Sequence, residues 1–449
     1  MKPFADSIQT MKSKTIVAAL SLLLAVGAGC ATHAQDKSNS SLAPVSVPPD
    51  DGGITDAQIQ DIVERVAKHQ MQLHPIADGE YPAVTTLDGA KTAKKPSGIQ
   101  WNYPWGVTLY GMIRSTDVTG DKSVEQFVIE HDRICANYYE WLIGLNKTVT
   151  NATAAELKTF ENSAAGIGAL MKLGSLDSCG AMGAQFEEVM LRYPGQVTQA
   201  DKDVDAHVAG WIVHGQERMT NGTLCRGGHT TVWPDDLYMS CPFLIRYAKI
   251  TGDKKYLDDA ASQIIHQAAL EQDSDGLFFH GYNLKEQKHS PFKWGRGNGW
   301  VTVATVEVLS DMSENDPLRP KLLQILRKQI AGLEKVQAPD GMWHQVLDHP
   351  ELWEETSCTA MFAYGIARAV DRGWIDQTNM IVARKAFAGI AKNVTADGIV
   401  QNTCEGTNIG QTLDYYINRA HPLTDPRSTD HGPGPVMLAG TEILMADKK

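Results

Sequence analysis

The chain has 449 residues, of which 43% are hydrophobic and 21% carry a charge, a composition typical of a folded globular protein. Aspartate and glutamate outnumber lysine and arginine by 53 to 41, which gives a formal net charge of −12. A nucleic-acid-binding protein would need a concentrated basic patch. No run of Lys or Arg supplies one, so we expect no nucleic-acid partner.

The N-terminal segment has the pattern of an export signal. Lys12 and Lys14 precede an uncharged, largely apolar run over residues 15–29, which is too short and too rich in small residues for a permanent membrane span. Two signal lengths fit: residues 1–34, cleaved by an ordinary signal peptidase, or residues 1–29, cleaved before an acylated Cys30. Both predict an exported protein, either periplasmic or an outer-membrane lipoprotein attached to the membrane only through Cys30.

Residues 35–53 are rich in Ser, Pro, Asp and Asn, and we predict a flexible linker because such a segment cannot bury enough apolar surface to fold. The remaining chain, residues 54–449, exceeds the size at which a single core usually stops growing. It is therefore either two domains or one ring of repeated units.

Helical periodicity dominates residues 54–449, and an amphipathic helix alternates with an apolar one six times. In chain order, the amphipathic helices are predicted to begin near Thr55, Asp121, Lys202, Lys254, Leu318 and Thr378. The apolar helices are predicted to begin near Trp101, Leu176, Trp233, Arg296, Glu355 and Gly432. Two turns share the sequence Thr-Gly-Asp-Lys, in which glycine suits a helix C-cap and aspartate suits the start of the next helix.

Helices that are apolar on nearly all sides must be buried, and amphipathic helices cover them. Six of each predict an all-α (α/α)6 toroid, with an inner ring of six helices inside an outer ring of six. A linear array of helices is the alternative. In a toroid the loops that lead into the inner helices meet at one end of the axis, so residues at those helix starts should line a common cleft.

Residues suited to chemistry cluster at the predicted starts of the inner helices. Asp177 lies at the second, and the third opens with Trp-Pro-Asp-Asp-Leu-Tyr-Met at 233–239. The fourth follows His-Gly-Tyr at 280–282 and opens with Trp-Gly-Arg-Gly-Asn-Gly-Trp at 294–300. His344 lies in the loop before the fifth. None of these has convincing metal-ligand spacing, so we expect neither a metal nor a cofactor.

These motifs, in this order, resemble glycoside hydrolase family 105, the unsaturated rhamnogalacturonyl hydrolases and related unsaturated glucuronyl hydrolases. The resemblance runs from about residue 101 to residue 449, and Asn298-Gly299 favours family 105 over the related family 88. It implies an (α/α)6 fold, in agreement with the helix count. It also implies a hydrolase that removes a 4,5-unsaturated uronic acid from the non-reducing end of a disaccharide-sized acidic oligosaccharide made by a lyase.

The resemblance also implies site residues, position by position. Asp235 matches the catalytic acid/base and Asp177 the second active-site aspartate. The positions that match substrate-binding residues are His280, Arg296, Trp294, Trp300, Trp233, Met239 and Tyr103. We add His344 from its place before the fifth inner helix, where a pocket role and a structural role are both open. Adjacent helical residues point about 100° apart, so only one of Asp235 and Asp236 can face the axis, and we assign Asp235.

The implied chemistry needs one acid. Protonation of C4 of the unsaturated sugar develops positive charge at C5, water adds there, and the resulting hemiketal opens. The acid must be protonated near neutral pH, so we predict that burial and repulsion from Asp177 raise the pKa of Asp235. Arg296 is predicted to pair with the sugar carboxylate, and Trp300, on the same helix face, to provide a flat surface.

Two other functions stay open at this point. One is a different enzyme on the same toroid: a saturated-glycan hydrolase, a lyase or an epimerase. The other is a non-catalytic sugar-binding protein, in which the aspartates only contact hydroxyl groups.

Overall fold

A computed structural model of the chain describes residues 53–419 and 430–446. The predicted signal segment, Cys30 and the predicted linker up to residue 52 lie outside the described residues. Within the described ranges, no helix combines the length and the apolar character that crossing a membrane requires.

Twelve long helices, numbered in chain order, form the architecture of the described residues. They are α1 (Asp56–Leu73), α2 (Tyr103–Thr119), α3 (Lys122–Thr148), α4 (Gly180–Arg192), α5 (Gln199–Gly210), α6 (Cys241–Thr251), α7 (Lys255–Glu271), α8 (Gly295–Asp311), α9 (Arg319–Lys335), α10 (Thr356–Asp371), α11 (Met380–Ala391) and α12 (Pro433–Ala446). The even-numbered helices are mostly buried, whereas the odd-numbered helices each expose one face. This is the alternation that the sequence predicts.

The even-numbered helices form a closed ring. Helix α2 packs on α4, and the contacts continue through α6, α8 and α10 to α12, which packs back on α2. Each odd-numbered helix packs outside an even-numbered neighbour, as α3 does on α2 and α11 on α10. The predicted (α/α)6 toroid is therefore confirmed, and the linear array is wrong because α12 closes the ring.

Local sequence signals set many of the helix boundaries. Thr55 caps α1 by accepting the N–H of Gln58, and Asp121 caps α3. In the two Thr-Gly-Asp-Lys turns, Gly120 (φ 65°) and Gly252 (φ 72°) adopt the left-handed conformation that ends the preceding helix. The predicted starts of ten of the twelve long helices agree with the structure to within about three residues. The predicted starts at Leu176 and Trp233 precede α4 and α6 by four and eight residues.

Shorter elements lie in the loops between the long helices. The short α-helices are Leu87–Thr92, Ala154–Asn162, Gly168–Met171, Asp235–Tyr238 and Leu413–Ile417. Single helical turns are Leu176–Ser178, Pro194–Gln196, Trp211–Gly215 and Gln377–Asn379. Strands β1 (Thr231–Val232), β2 (Tyr282–Asn283) and β3 (Lys288–His289) form an antiparallel sheet in the order β1-β2-β3.

The third inner element is broken into two pieces, which positions its aspartates. Asp235–Tyr238 forms one turn, and α6 begins only at Cys241. A Cβ on Gly180 would lie 1.7 Å from the carbonyl oxygen of Met239, so the first turn of α4 packs directly against this break. Glycine at position 180 therefore allows the start of α4 to approach the turn that carries Asp235.

The C-terminal half of the inner ring is filled by a buried ion network. The Glu307 carboxylate accepts hydrogen bonds from Tyr110, Tyr364 and Arg246, and Arg368 lies 3.6 Å away. Burial alone would raise the pKa of Glu307, but Arg246 and Arg368 lead the groups that hold it at about 2. Glu307 lies near the C-terminal end of α8, so this network joins the inner helices at the end opposite to their starts. The six cysteines of the described residues are free and buried.

Candidate active site

Residues at the N-terminal ends of the inner helices line an open cleft with a volume of about 220 Å³. Its lining includes Tyr103 at the start of α2, Asp177 before α4, and Trp233, Asp235 and Met239 before α6. The loop at residues 406–408 covers one side. The cleft is the meeting point that the toroid predicts, and it places both assigned aspartates on the same surface.

Asp235 reaches the cleft but is largely enclosed. Its side chain is 13% exposed, and its Oδ2 atom lies 3.6 Å from Nε2 of His280. Burial alone would raise the pKa of Asp235, but the facing imidazole of His280 and the charges of Arg226 and Arg296 hold that pKa below its usual range. The predicted upward shift is therefore wrong for the substrate-free protein, in which Asp235 is ionised near neutral pH.

The ring of His280 is held in one orientation. Its Nδ1 atom lies 2.7 Å from the hydroxyl oxygen of Tyr416, which also accepts the backbone N–H of Gly410 at 3.0 Å. The ring of Trp294 packs against the imidazole with 4.4 Å between the centroids. Together these contacts point Nε2 of His280 towards Asp235, where it meets no closer partner among the described residues.

The side-chain amide of Asn298, in the Arg-Gly-Asn-Gly-Trp motif, joins two segments of the site by hydrogen bonds. Its Oδ1 atom accepts the backbone N–H of Phe278 at 2.7 Å, and its Nδ2 atom donates to the carbonyl oxygen of the same residue at 2.8 Å. Nδ2 also donates to the carbonyl oxygen of Trp294 at 3.1 Å. The amide thus ties the loop that carries His280 to the first turn of α8.

Arg226 is the functional residue that sequence reasoning missed. Its guanidinium donates two hydrogen bonds of 2.9 Å to the two carboxylate oxygens of Asp177. Its Nε atom donates to Oδ1 of Asp236 at 2.8 Å, and its carbon lies 4.7 Å from the centroid of the Trp233 ring. One cation therefore holds Asp177 and Asp236 and supports an aromatic wall of the cleft.

Asp236 points away from the cleft and is fully buried. Burial raises the pKa of Asp236 to about 6, against the opposing charge and hydrogen bonds of Arg226, while Asp177 and Asp235 add repulsion. The choice of Asp235 over Asp236 as the cleft-facing residue agrees with this geometry. Of the adjacent pair, Asp236 is the carboxyl with the raised pKa, but it has no access to a substrate.

The loop that presents Arg226 is itself tightly held. The carboxylate of Glu217 accepts the backbone N–H groups of Gly228 and His229, and Nδ1 of His229 lies 3.4 Å from Sγ of Cys225. His229 is exposed and does not line the cleft. In the sequence, an arginine followed by two glycines was the signal that could have identified this loop. In the structure, both glycines have a positive φ.

Arg296 is buried beside the cleft, and both of its terminal nitrogens donate hydrogen bonds to the protein. It donates to the backbone carbonyl oxygens of Cys404 and Glu405, the latter at 2.8 Å, and lies 3.9 Å from the Glu355 carboxylate. Glu355 also accepts the backbone N–H of Cys404 at 2.9 Å. Arg296 and Glu355 therefore fix the segment that leads to the 406–408 loop. Pairing of Arg296 with a sugar carboxylate stays a prediction.

The two tryptophans of the motif are buried behind the residues that line the cleft. Trp300 is 2% exposed and stacks on Tyr238, with 4.7 Å between the ring centroids. Trp294 is 1% exposed and lies against His280 and Arg296. Trp300 therefore does not line the cleft in the substrate-free structure, and its predicted role as a sugar-facing surface stays a prediction. Trp233 and Tyr103 are the aromatic residues of the described chain that line the cleft.

Tyr103 and His344 differ in their relation to the cleft. The Tyr103 hydroxyl oxygen lies 2.6 Å from Nε2 of His431, and burial raises the pKa of Tyr103 to about 12. His431 comes from the loop before α12, so that loop borders the cleft. His344 instead contacts the carbonyl oxygen of Leu352 at 2.7 Å, outside the cleft lining, and its side chain braces the loop before α10.

The chain matches the family model described as Glycosyl Hydrolase Family 88 over residues 82–447. It is 31% identical over 223 residues to an unsaturated 3S-rhamnoglycuronyl hydrolase of Alteromonas sp., covering 48% of this chain and 52% of that protein. It is 28% identical over 223 residues to an unsaturated rhamnogalacturonyl hydrolase of Bacillus subtilis, covering 47% and 62% respectively. The matched regions thus span only about half to three fifths of these relatives.

The fold is shared with solved structures over nearly the whole chain. A crystal structure from Klebsiella pneumoniae, described as a possible member of GH105 family, aligns with a TM-score of 0.68 and 26% identity. The alignment covers 92% of this chain and 99% of the other.

Proposed function

The chain belongs to Glycosyl Hydrolase Family 88, with structural neighbours in the related family 105, and from this we propose that it removes a 4,5-unsaturated uronic acid from the non-reducing end of lyase-generated acidic oligosaccharides. The observation that carries the proposal is the position of Asp235, which faces His280 and the cleft without a hydrogen bond to its Oδ2 atom. The relatives named for unsaturated rhamnoglycuronyl and rhamnogalacturonyl substrates support the same substrate class.

The carboxylates of the cleft favour this reaction over hydrolysis of a saturated glycoside. Hydrolysis of a saturated glycoside normally uses two carboxyl groups, one as acid and one as nucleophile or base. Among the described residues that line the cleft, Asp177 and Asp235 are the carboxylates, and Asp177 is held by both terminal nitrogens of Arg226. One carboxyl group is left available, which suits the protonation of a double bond.

In the proposed reaction, the carboxyl group of Asp235 donates its proton to C4 of the unsaturated sugar. Positive charge develops at C5 and on the ring oxygen, and a water molecule adds at C5. The Asp235 carboxylate then accepts the proton that this water loses, so Asp235 is again protonated as it was in the complex with substrate. The hemiketal opens, and the bond to the remaining oligosaccharide is released without a further catalytic group.

The proton of Asp235 must be acquired in the complex, because the free carboxyl group is ionised. The substrate carries a carboxylate on C5, next to the carbon that is protonated. Its negative charge enters an enclosed site, and a like charge at close range raises the pKa of a carboxyl group. Substrate binding therefore opposes the effect of His280, Arg226 and Arg296, and we propose that one proton is taken up as the complex forms.

The pH dependence of kcat/KM tests this step. This quantity reports the ionisation of the free enzyme. Since the free form lacks a proton that the reacting form holds, we expect kcat/KM to fall about tenfold per pH unit across the neutral range. In the variant His280→Gln, the loss of a group that lowers the pKa of Asp235 should move this fall to higher pH. A kcat/KM value that is constant from acid to neutral pH would contradict ionised Asp235 in the free enzyme.

A panel of lyase-generated disaccharides tests the function itself. The protein should abolish the ultraviolet absorbance of the C4–C5 double bond in at least one unsaturated rhamnogalacturonyl or rhamnoglycuronyl disaccharide. A lyase acting on the saturated polymers would create this absorbance instead. A sugar-binding protein would leave the absorbance of every disaccharide unchanged while still giving binding heat in calorimetry.

We also propose that the enzyme is exported, from Lys12, Lys14 and the apolar run that follows them. Acylation of Cys30 would attach it to the outer membrane, and cleavage after residue 34 would leave it soluble in the periplasm. Cell fractionation of the full chain beside Cys30→Ala distinguishes these two processing routes. Recovery of both proteins in the cytoplasm would oppose export.

A further inference from the structure

A second cavity, with a volume of about 390 Å³, adjoins the cleft that contains Asp235. One wall is the sheet formed by β1, β2 and β3, and the other is the loop at residues 408–411. Trp233 and Asn408 line both spaces, so the two lie side by side. We call this second space the hairpin cavity. Its size falls in the range of about 300–1,000 Å³ that is typical of small-ligand sites.

The hairpin cavity has the surface chemistry of a carbohydrate site. Tyr282 contributes a half-buried ring, and Gln411 contributes an exposed amide. Lys288 on β3 is exposed, lines the cavity and has no carboxylate within ion-pair distance in the described parts of the chain. An aromatic face, hydrogen-bonding amides and one unpaired cation together suit a sugar that carries an anionic group.

The walls of the hairpin cavity are already held in place. The backbone N–H of Leu284 donates to the carbonyl oxygen of Thr230 at 2.8 Å, and Oδ1 of Asn283 accepts two N–H groups of the turn. Gly281 has φ 124°, and a Cβ there would lie 2.3 Å from Cδ1 of Ile409, so the sheet and the 408–411 loop pack closely. A site whose walls are fixed before binding loses less freedom when a ligand enters.

We infer that the hairpin cavity binds the second and third sugars beyond the bond that is broken, so the preferred substrate is longer than a disaccharide. This inference rests on the proposed function. In a lyase product that alternates uronic acid with a neutral sugar, the second sugar after the scissile bond is again a uronic acid. Lys288 is placed to pair with the carboxylate of that uronic acid, and Tyr282 to pack against a sugar ring.

The test compares a disaccharide with the tetrasaccharide of the same repeat, both carrying the unsaturated end. The unmodified protein should show a kcat/KM for the tetrasaccharide about tenfold above that for the disaccharide. Lys288→Ala should lower the tetrasaccharide value by about three- to fivefold, as expected for an exposed ion pair, and leave the disaccharide value unchanged. High salt should reduce the effect of this substitution because it screens the exposed charge.

Two further variants on the same hairpin sharpen the test. Lys285→Ala removes an exposed lysine that does not line the cavity and should leave both values unchanged. Glu286→Gln removes a negative charge from the cavity lining and should raise the tetrasaccharide value, because Glu286 repels an anionic sugar.

The outcomes separate this inference from the function on which it rests. If neither oligosaccharide is consumed in any repeat, the proposed function fails. If both are consumed at kcat/KM values within about twofold of each other, the function stands and the hairpin cavity is not a sugar site. Equal losses on both substrates in Lys288→Ala would likewise overturn the inference, because they would show a general effect on the fold.

Discussion

Replacement of Asp235 by asparagine is expected to lower kcat by at least about 10³-fold, which is the scale on which general acids contribute. Asparagine keeps the shape of the side chain but has no carboxyl proton to give to C4. Because Oδ2 of Asp235 accepts no hydrogen bond in the structure, the substitution should change the free energy of unfolding by less than about 1 kcal/mol. Loss of absorbance of the unsaturated disaccharide measures turnover, and thermal unfolding measures stability.

The variant Asp235→Asn should still bind the substrate. Removal of one negative charge from the cleft lessens repulsion of the anionic substrate, so calorimetry should find affinity equal to or above that of the unmodified protein. The adjacent variant Asp236→Asn provides the contrast, because Asp236 contacts Arg226 rather than the cleft. We expect it to lose stability and to keep more activity than Asp235→Asn. The opposite order of activities would assign the proton donor to Asp236.

The fold could be predicted from the sequence because buried and partly exposed helices alternate regularly along the chain of a toroid. Apolar helices such as 433–446 have no exposed face, and their alternation with amphipathic ones fixes both rings without long-range information. The caps at Thr55 and Asp121 depend on neighbours three residues away or fewer, so local sequence determines them. The break between Asp235–Tyr238 and α6 was not predicted, because it depends on how closely α4 packs at Gly180.

The sequence predicted which residues lie at the site, but it did not predict the charges that surround Asp235. The resemblance brought Asp177, Asp235 and His280 to the correct region, since each lies at the start of an inner helix or in the loop before one. Arg226 lies in a loop with no helical pattern, and its partners are 49 and 10 residues away along the chain. His280 was assigned only to substrate binding and Arg226 was not considered, although both groups lower the pKa of Asp235. The shift in the pKa of Asp235 was therefore predicted with the wrong sign.

Replacement of Arg226 by methionine is expected to destabilise the protein by about 3–5 kcal/mol at neutral pH, because removal of one partner leaves buried charge uncompensated. Asp236 is fully buried and loses its cation, and Asp177 loses both of its hydrogen bonds. Turnover should fall as well, since Asp177 and the Trp233 ring are no longer held. Urea unfolding and disaccharide turnover measure the two effects. Arg218→Met is the matched control, because Arg218 pairs in the same way with the partly exposed Asp259.

The pH dependence of this loss distinguishes an electrostatic role from simple packing. The pKa of Asp236 is about 6 in the folded protein and near 3.8 without the fold, so its proton is bound more tightly when the protein is folded. The stability that this proton contributes is present in acid and is lost as the pH rises from about 4 through 6. Without Arg226 the folded pKa rises further, because the main opposing charge is gone.

The loss of unfolding free energy in Arg226→Met should therefore be small at pH 5, where Asp236 is neutral. It should be large at pH 8, where Asp236 must either ionise while buried without its cation or keep a proton that the unfolded chain would release. Adding Asp236→Asn to this variant removes the charge and should recover much of the lost stability at pH 8 and little at pH 5. Non-additivity of that sign in a double-mutant cycle would establish the ion pair as the cause. A loss that is equal at both pH values, and unaffected by Asp236→Asn, would mean that Arg226 acts through its packing against Trp233 instead.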